Sequence, residues 1–102
     1  MSHITQARKA LITRILEGEA NASHAQRRAA FDNTGLPKPV NMLIDKVTKH
    51  AYRINDEDIV ACRTSGLSED QIFEMVVCAA IGQAGRQYDT ALAALKAALE
   101  KG

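Results

Sequence analysis

Apolar residues recur along this chain at helical rather than strand spacing. Between Thr5 and Glu17, Ala7, Ala10, Leu11, Ile15 and Leu16 fit one stripe, and Gly18 follows as a stop. A weaker helix is expected over Ser23 to Phe31, with Ala25, Ala29 and Ala30 among polar neighbours. Asp32-Asn33-Thr34-Gly35 reads as a turn, and Pro37 and Pro39 suit the first turn of a third helix, Val40 to Tyr52. That helix should bury Met42 or Leu43, Ile44, Val47 and Ala51. Asn55 is a good N-cap for a short fourth helix, with Asp56, Glu57 and Asp58 favourably placed in its first turn. Ile59, Val60 and Cys62 form its apolar side, and Gly66 supplies a left-handed stop. Ser68 with Gln71 three residues later makes a capping box.

The fifth helix, Glu69 to about Leu99, has two unlike halves. From Ile72 to Ile81 it is apolar almost all round, apart from Glu74, so it needs burial on every side. Five helices in about a hundred residues offer little material for that, and a subunit partner is expected. The second half carries a narrow seam, Cys78, Ile81, Gly85, Tyr88, Leu92, Leu95 and Leu99, in alternating steps of three and four. Gly82 and Gly85 each cost about 1 kcal/mol against Ala in a helix. They mark a close helix crossing, a bend, or simple tolerance.

Composition sharpens this picture. In 102 residues, 46% are hydrophobic but only 4% aromatic, and this Ala-rich balance favours closely packed helices over sheet. The length allows one modest core. A formal charge of +1, with Lys and Arg spread along the chain, gives no reason to expect a nucleic-acid or anionic-membrane partner. The opening MSHITQARKALITRILEGEANA is broken by Lys9, Arg14 and Glu17. It reads as an amphipathic helix rather than an export signal, which points to the cytoplasm. The longest apolar run, Met75 to Gly82, is too short to span a membrane.

The segment HAYRINDEDIVACRTSGLSEDQIFEMVVCAAIGQAGRQYDTALAAL, a short helix, a Gly-Leu-Ser-Glu turn and a long apolar helix, resembles the carboxymuconolactone decarboxylase and alkylhydroperoxidase D-like (AhpD-like) family. The resemblance covers about residues 40 to 99. It implies an all-α, AhpD-like domain of about five helices with a long C-terminal helix; the apolar first half of that helix and its heptad seam lead to the expectation of a homo-oligomer formed through it. Residues 1–36 would form a helical extension packed on a core of residues 37–102.

Family members carry a Cys-x-x-Cys with a His four residues after the second Cys. With Gly66-Leu67-Ser68 as anchor, the thiol positions fall on Ala51 and Ile54 and the trailing His on Asp58. The His between the thiols falls on Arg53, and an upstream Glu falls on Pro39. Peroxide reduction needs a thiolate, a resolving thiol and a base, and these positions supply none. The resemblance therefore implies a non-catalytic member that binds a small-molecule ligand or serves in assembly.

The alternative is an enzyme with relocated chemistry. Cys62 and Cys78 would be its displaced redox pair, provided their α-carbons approach within about 7 Å; both otherwise read as small buried hydrophobes. An acid–base version would use Glu74, His50 and Tyr52. Glu74 is the lone charge in the apolar run; the structural readings are a solvated carboxylate or a pair with Arg86 or Arg63. His50 and Tyr52 lie at the family's active-site corner with Lys49, Arg53, Asp56 and Asp58, where a plain polar junction is the structural reading. His3, His24 and His50 have no metal-ligand spacing, and no phosphate loop or dinucleotide fingerprint occurs, so no metal or cofactor is expected.

Overall fold

A computed structural model describes the backbone of residues 2–101 and the side chains of residues 5–101. Met1 and Gly102, the outermost residues of the two expected segments, lie outside the described residues, as does the His3 side chain. The described residues fold as five α-helices, α1 (Ser2–Glu17), α2 (His24–Asp32), α3 (Val40–Lys49), α4 (Asp56–Thr64) and α5 (Glu69–Lys101), with a 3₁₀ turn at Ala51–Arg53. No strand occurs among the described residues. No helix among them is long and apolar enough to cross a membrane.

Local signals set most boundaries. Ser23 and Gln26 form a reciprocal capping box at the start of α2, and Asn55 and Asp58 form another at α4. Ser68 and Gln71 do the same at α5, with bonds of 2.8 and 3.1 Å. Gly66, at φ 112°, closes α4 as a left-handed stop. α2 ends on Asn33 at φ 52°, which donates to Asp45 and Thr48 on α3.

One core gathers Leu16 from α1, Ala30 from α2, Leu43 and Ile44 from α3, Cys62 from α4, and Ile72, Met75, Cys78 and Ala79 from α5. α5 is the spine. At about 1.5 Å per residue it is roughly 50 Å long, close to the 54 Å extent of the molecule.

Some expectations change and one open choice is decided; Val60, expected on the apolar side of α4, is 57% exposed. α3 stops at Lys49 because His50 leaves helical geometry, at φ −147° and ψ 55°; the following 3₁₀ turn leads into the Asn55 cap. Ala51 is consequently exposed rather than buried. Within α3 the choice falls on Leu43, which is buried, whereas Met42 is exposed. α1 is rotated from its expected stripe: Ile12, Ile15 and Leu16 face inward with Arg8, while Ala7, Ala10 and Leu11 face solvent. Two alanines offer too little apolar surface to decide a helix rotation, and the larger side chains and the Arg8 contacts decide it.

α5 between Ile72 and Ile81 obtains much of its cover from this same chain. Ile72, Met75, Cys78 and Ala79 are buried, Val76, Val77 and Ile81 are half-buried, and Phe73 remains 68% exposed.

Candidate functional site

The link between α1 and α2 crosses α5 and is gripped there by two opposite charges. Glu74, half-buried on α5, takes its N–H side. Its Oε2 accepts from the Asn21 backbone at 3.1 Å and from Asn21 Nδ2 at 3.0 Å, and its Oε1 accepts from the Ala22 N–H at 2.6 Å. Arg27, 3% exposed on α2, takes the carbonyl side. Its Nε donates to the Ala22 carbonyl at 3.1 Å and its Nη1 to the Ile15 carbonyl at 3.1 Å, among the last carbonyls of α1, which lack helical partners. Glu74 pairs with neither Arg63 nor Arg86. Arg63 meets Glu69, and Arg86 donates to the Phe31 carbonyl.

A cleft of about 470 Å³ opens beside this brace, lined by Arg14, Ile15, Arg27, Phe73, Glu74 and Cys78 among others. Cys78 is 1% exposed, and its Sγ donates to the Ile15 carbonyl at 3.6 Å. Burial raises the thiol above its ordinary pKa; Arg27 opposes this and the Glu74 charge adds to it. The Glu74 carboxyl moves the other way. Desolvation pushes it up, but the Ala22 and Asn21 donors and the Arg27 charge outweigh that and hold it below the usual carboxylate range. The pairing is chemically quiet: a carboxylate saturated with donors is a weak base, and a protonated thiol is a weak nucleophile.

Cys62 shares the core with Cys78, and both are free and buried. Burial raises Cys62 as well, with Asp58 adding to it. We expect neither thiol to react with an aromatic disulfide reagent in the native protein and both to react after unfolding in guanidinium. Stopped-flow absorbance with and without denaturant measures this. A fast native phase from either cysteine would restore it as a redox candidate.

His50 and Tyr52 lie together elsewhere. His50 follows α3, and its ring meets Tyr52 edge-on with centroids 6.0 Å apart. Tyr52 is 80% exposed, with the Arg53 guanidinium over its ring at 5.6 Å. Neither His50 nor Tyr52 lines the cleft that holds Glu74. Asp58, at the position of the family's trailing His, accepts twice from Lys46 Nζ at 2.9 Å and once from the Asn55 N–H at 3.0 Å. The Lys46 contact, then the Asn55 bond, lowers its pKa. The structure thus brings Glu74 beside Cys78 and His50 beside Tyr52. Among the described residues no cluster of three or more His, Cys, Asp and Glu is placed to hold a metal ion.

Both depressed carboxyls predict sensitivity to acid. Their folded pKa values lie below the unfolded ones, so their contribution is complete above the ordinary carboxylate range. It is lost as pH falls through the folded values. We expect thermal stability to drop below about pH 4, and Glu74→Gln, already low at neutral pH, to lose less on acidification. Circular-dichroism melts of both proteins from neutral to acid pH measure the difference; parallel curves would remove Glu74 from this account.

Sequence reasoning missed Arg27. Its signal was the spacing to Ala30, three residues on along the inward face of α2, combined with a lone opposite charge in the apolar run of α5.

The second candidate surface is the far end of α5. The heptad seam is occupied from within the chain over its first half: Cys78 lies under α1, and Gly85 faces the Arg8 guanidinium. Arg8 also bonds both carboxylate oxygens of Asp89, at 2.8 and 3.0 Å, and lies over the Tyr88 ring. Beyond this point the seam is open. Tyr88, Leu92, Leu95 and Leu99 are 45, 37, 55 and 71% exposed. Every residue from Arg86 to Lys101 is exposed. Five alanines between Ala91 and Ala98 keep this arm helical by propensity.

No protein-family model, no curated protein and no solved structure matches this chain.

Proposed function

We propose that this protein is a non-catalytic assembly element: a small helical body that presents the end of α5 for association with copies of itself. The observation that carries the reading is the exposed row of Tyr88, Leu92, Leu95 and Leu99, in steps of four, three and four along the end of α5, with the Arg8 guanidinium over Tyr88 at its near end. Apolar seams at this spacing pair with other helices by inserting each side chain between neighbours of the facing helix. The candidate chemical groups support the same reading, because Glu74 holds a loop and both thiols are buried and protonated.

In this reading the chain is a divergent AhpD-like protein whose scaffold outlived the thiol chemistry. The left-handed Gly66, the Ser68–Gln71 box and the long helix that follows support that relationship.

Sedimentation velocity tests the assembly. We expect a reversible oligomer that populates as protein concentration approaches about 0.1 mM, a binding energy of roughly 5 kcal/mol. Leu95→Glu with Leu99→Glu should return the protein to monomer with its helicity unchanged. A wild type that stays monomeric to about 1 mM would end this reading.

A further inference from the structure

Resting on that reading, we infer that the partner of the α5 arm is the same arm of a second copy, running antiparallel. The register follows from the flanks of the seam. Asp89 and Lys96 lie seven residues apart on one side of the Leu92–Leu95 pair, and Ala91 and Ala98 lie seven apart on the other. Two arms placed antiparallel, with Leu92 against Leu95 of the partner subunit, also bring Leu99 against Tyr88 of the partner subunit. By symmetry each contact occurs twice. Asp89 then faces Lys96 of the partner subunit, again twice, so both charged flanks are complementary. On the other side Ala91 faces Ala98 of the partner subunit, and these small side chains let the backbones approach.

A parallel pair has no such match. Its flanking positions would set Ala91 against Lys96 of the partner subunit and Ala84 against Asp89 of the partner subunit, leaving Lys96 without an opposite charge and Asp89 with only the Arg8 of its own chain. Opposite charges on the flanks of a helical seam set partner choice and orientation.

The body of the protomer fits this overlap. Arg8 meets α5 at Gly85, Tyr88 and Asp89, so the arm becomes free just past Asp89. The span from Tyr88 to Leu99 is about 17 Å of helix. The arm tip at Leu99 would therefore reach the level of Tyr88 of the partner subunit, beside the partner subunit's Arg8. Asp89 remains 61% exposed while bonded to Arg8, and can take a lysine from the opposite arm into the same ion cluster.

Site-directed crosslinking distinguishes the arrangements. Leu92→Cys and Leu95→Cys are prepared separately, the second with a mass tag, and oxidised singly and as an equimolar mixture; Cys62 and Cys78 stay in place because they are buried. The antiparallel register predicts at least a tenfold excess of the mixed disulfide over either homodisulfide, because like positions are offset by three residues and exceed the reach of a disulfide. Efficient homodisulfides of each variant alone would mean a parallel pair and overturn the register while preserving self-association. A protein that sediments as an oligomer yet forms no arm disulfide would place the interface elsewhere and overturn the inference. A monomer in sedimentation would overturn the underlying reading together with it.

Discussion

Replacing Gly82 with Ala should destabilise the protein, although the same change raises helix propensity. Gly82 is buried where α5 crosses the end of α2. A Cβ there would overlap the Phe31 carbonyl oxygen and come within 2.9 Å of its carbon and 3.2 Å of the Phe31 Cα. These are backbone atoms, and they are held from two sides. Arg86 Nη1 donates to the same carbonyl at 2.8 Å. Two residues on, Asn33 ties the end of α2 to Asp45 and Thr48 of α3. Relief would require α2 to move as a unit and open the core that contains Ala30. Overpacking of this kind costs about 3 kcal/mol, offset by about 1 kcal/mol of propensity, for a net loss of about 2 kcal/mol. At 4–8 °C per kcal/mol for a domain of this size, the midpoint should fall by roughly 10 °C. Gly85→Ala is the control. Its Cβ would meet only the Arg8 Nη2 tip, at 2.9 Å, and a flexible guanidinium can yield. That variant should match or slightly exceed wild type. Thermal melts at equal protein concentration compare the two, and equal behaviour would mean that α2 and α5 do not cross as closely as the geometry requires.

The crossing also shows what could be read from the sequence and what could not. The helices and their caps were legible because each is fixed by residues within one turn: Ser68 and Gln71 satisfy each other's backbone wherever the helix later packs. Gly66 was legible for the same local reason. Gly82 and Gly85 were not separable, since both are glycines in one helix and their roles depend on what lies across from them, a backbone for one and a side-chain tip for the other. The rotation of α1 was lost in the same way. Ala7 and Ala10 count as apolar in a pattern but bring little area to a core, so Arg8, which reaches Gly85 and Asp89, displaced them from the inward face.

The candidate site divides along the same line. Glu74 was conspicuous as one charge in an apolar run, but two of its donors are backbone groups more than fifty residues earlier in the chain, and the third is the Asn21 side-chain amide. Backbone N–H groups carry no sequence signature. In the α1–α2 link they need an acceptor, and the Glu74 carboxylate supplies it.

Arg27→Met should produce the other large loss. The substitution keeps the apolar stem and removes the guanidinium, leaving the Ala22 carbonyl without its donor and the Ile15 carbonyl with only the Cys78 thiol at 3.6 Å. Hydrogen bonds from a charged donor contribute about 1.5–3 kcal/mol each. Water can reach part of the link through the adjoining cleft, which lowers the sum to about 2–3 kcal/mol in all. Arg27→Lys should recover little, because one ammonium cannot reproduce the fork that spans two carbonyls. The loss should also couple to Glu74, which holds the opposite side of the same six-residue link. Once either grip is released, the other holds a segment that is already loose. In a double-mutant cycle with Glu74→Gln, measured by urea unfolding, the paired loss should fall short of the sum of the single losses by at least 0.5 kcal/mol. Strict additivity would mean that two independent caps sit side by side. Hydrogen exchange separates the cases further: a shared brace predicts that Arg27→Met accelerates exchange at the Asn21 and Ala22 amides, which bond to Glu74 and not to Arg27.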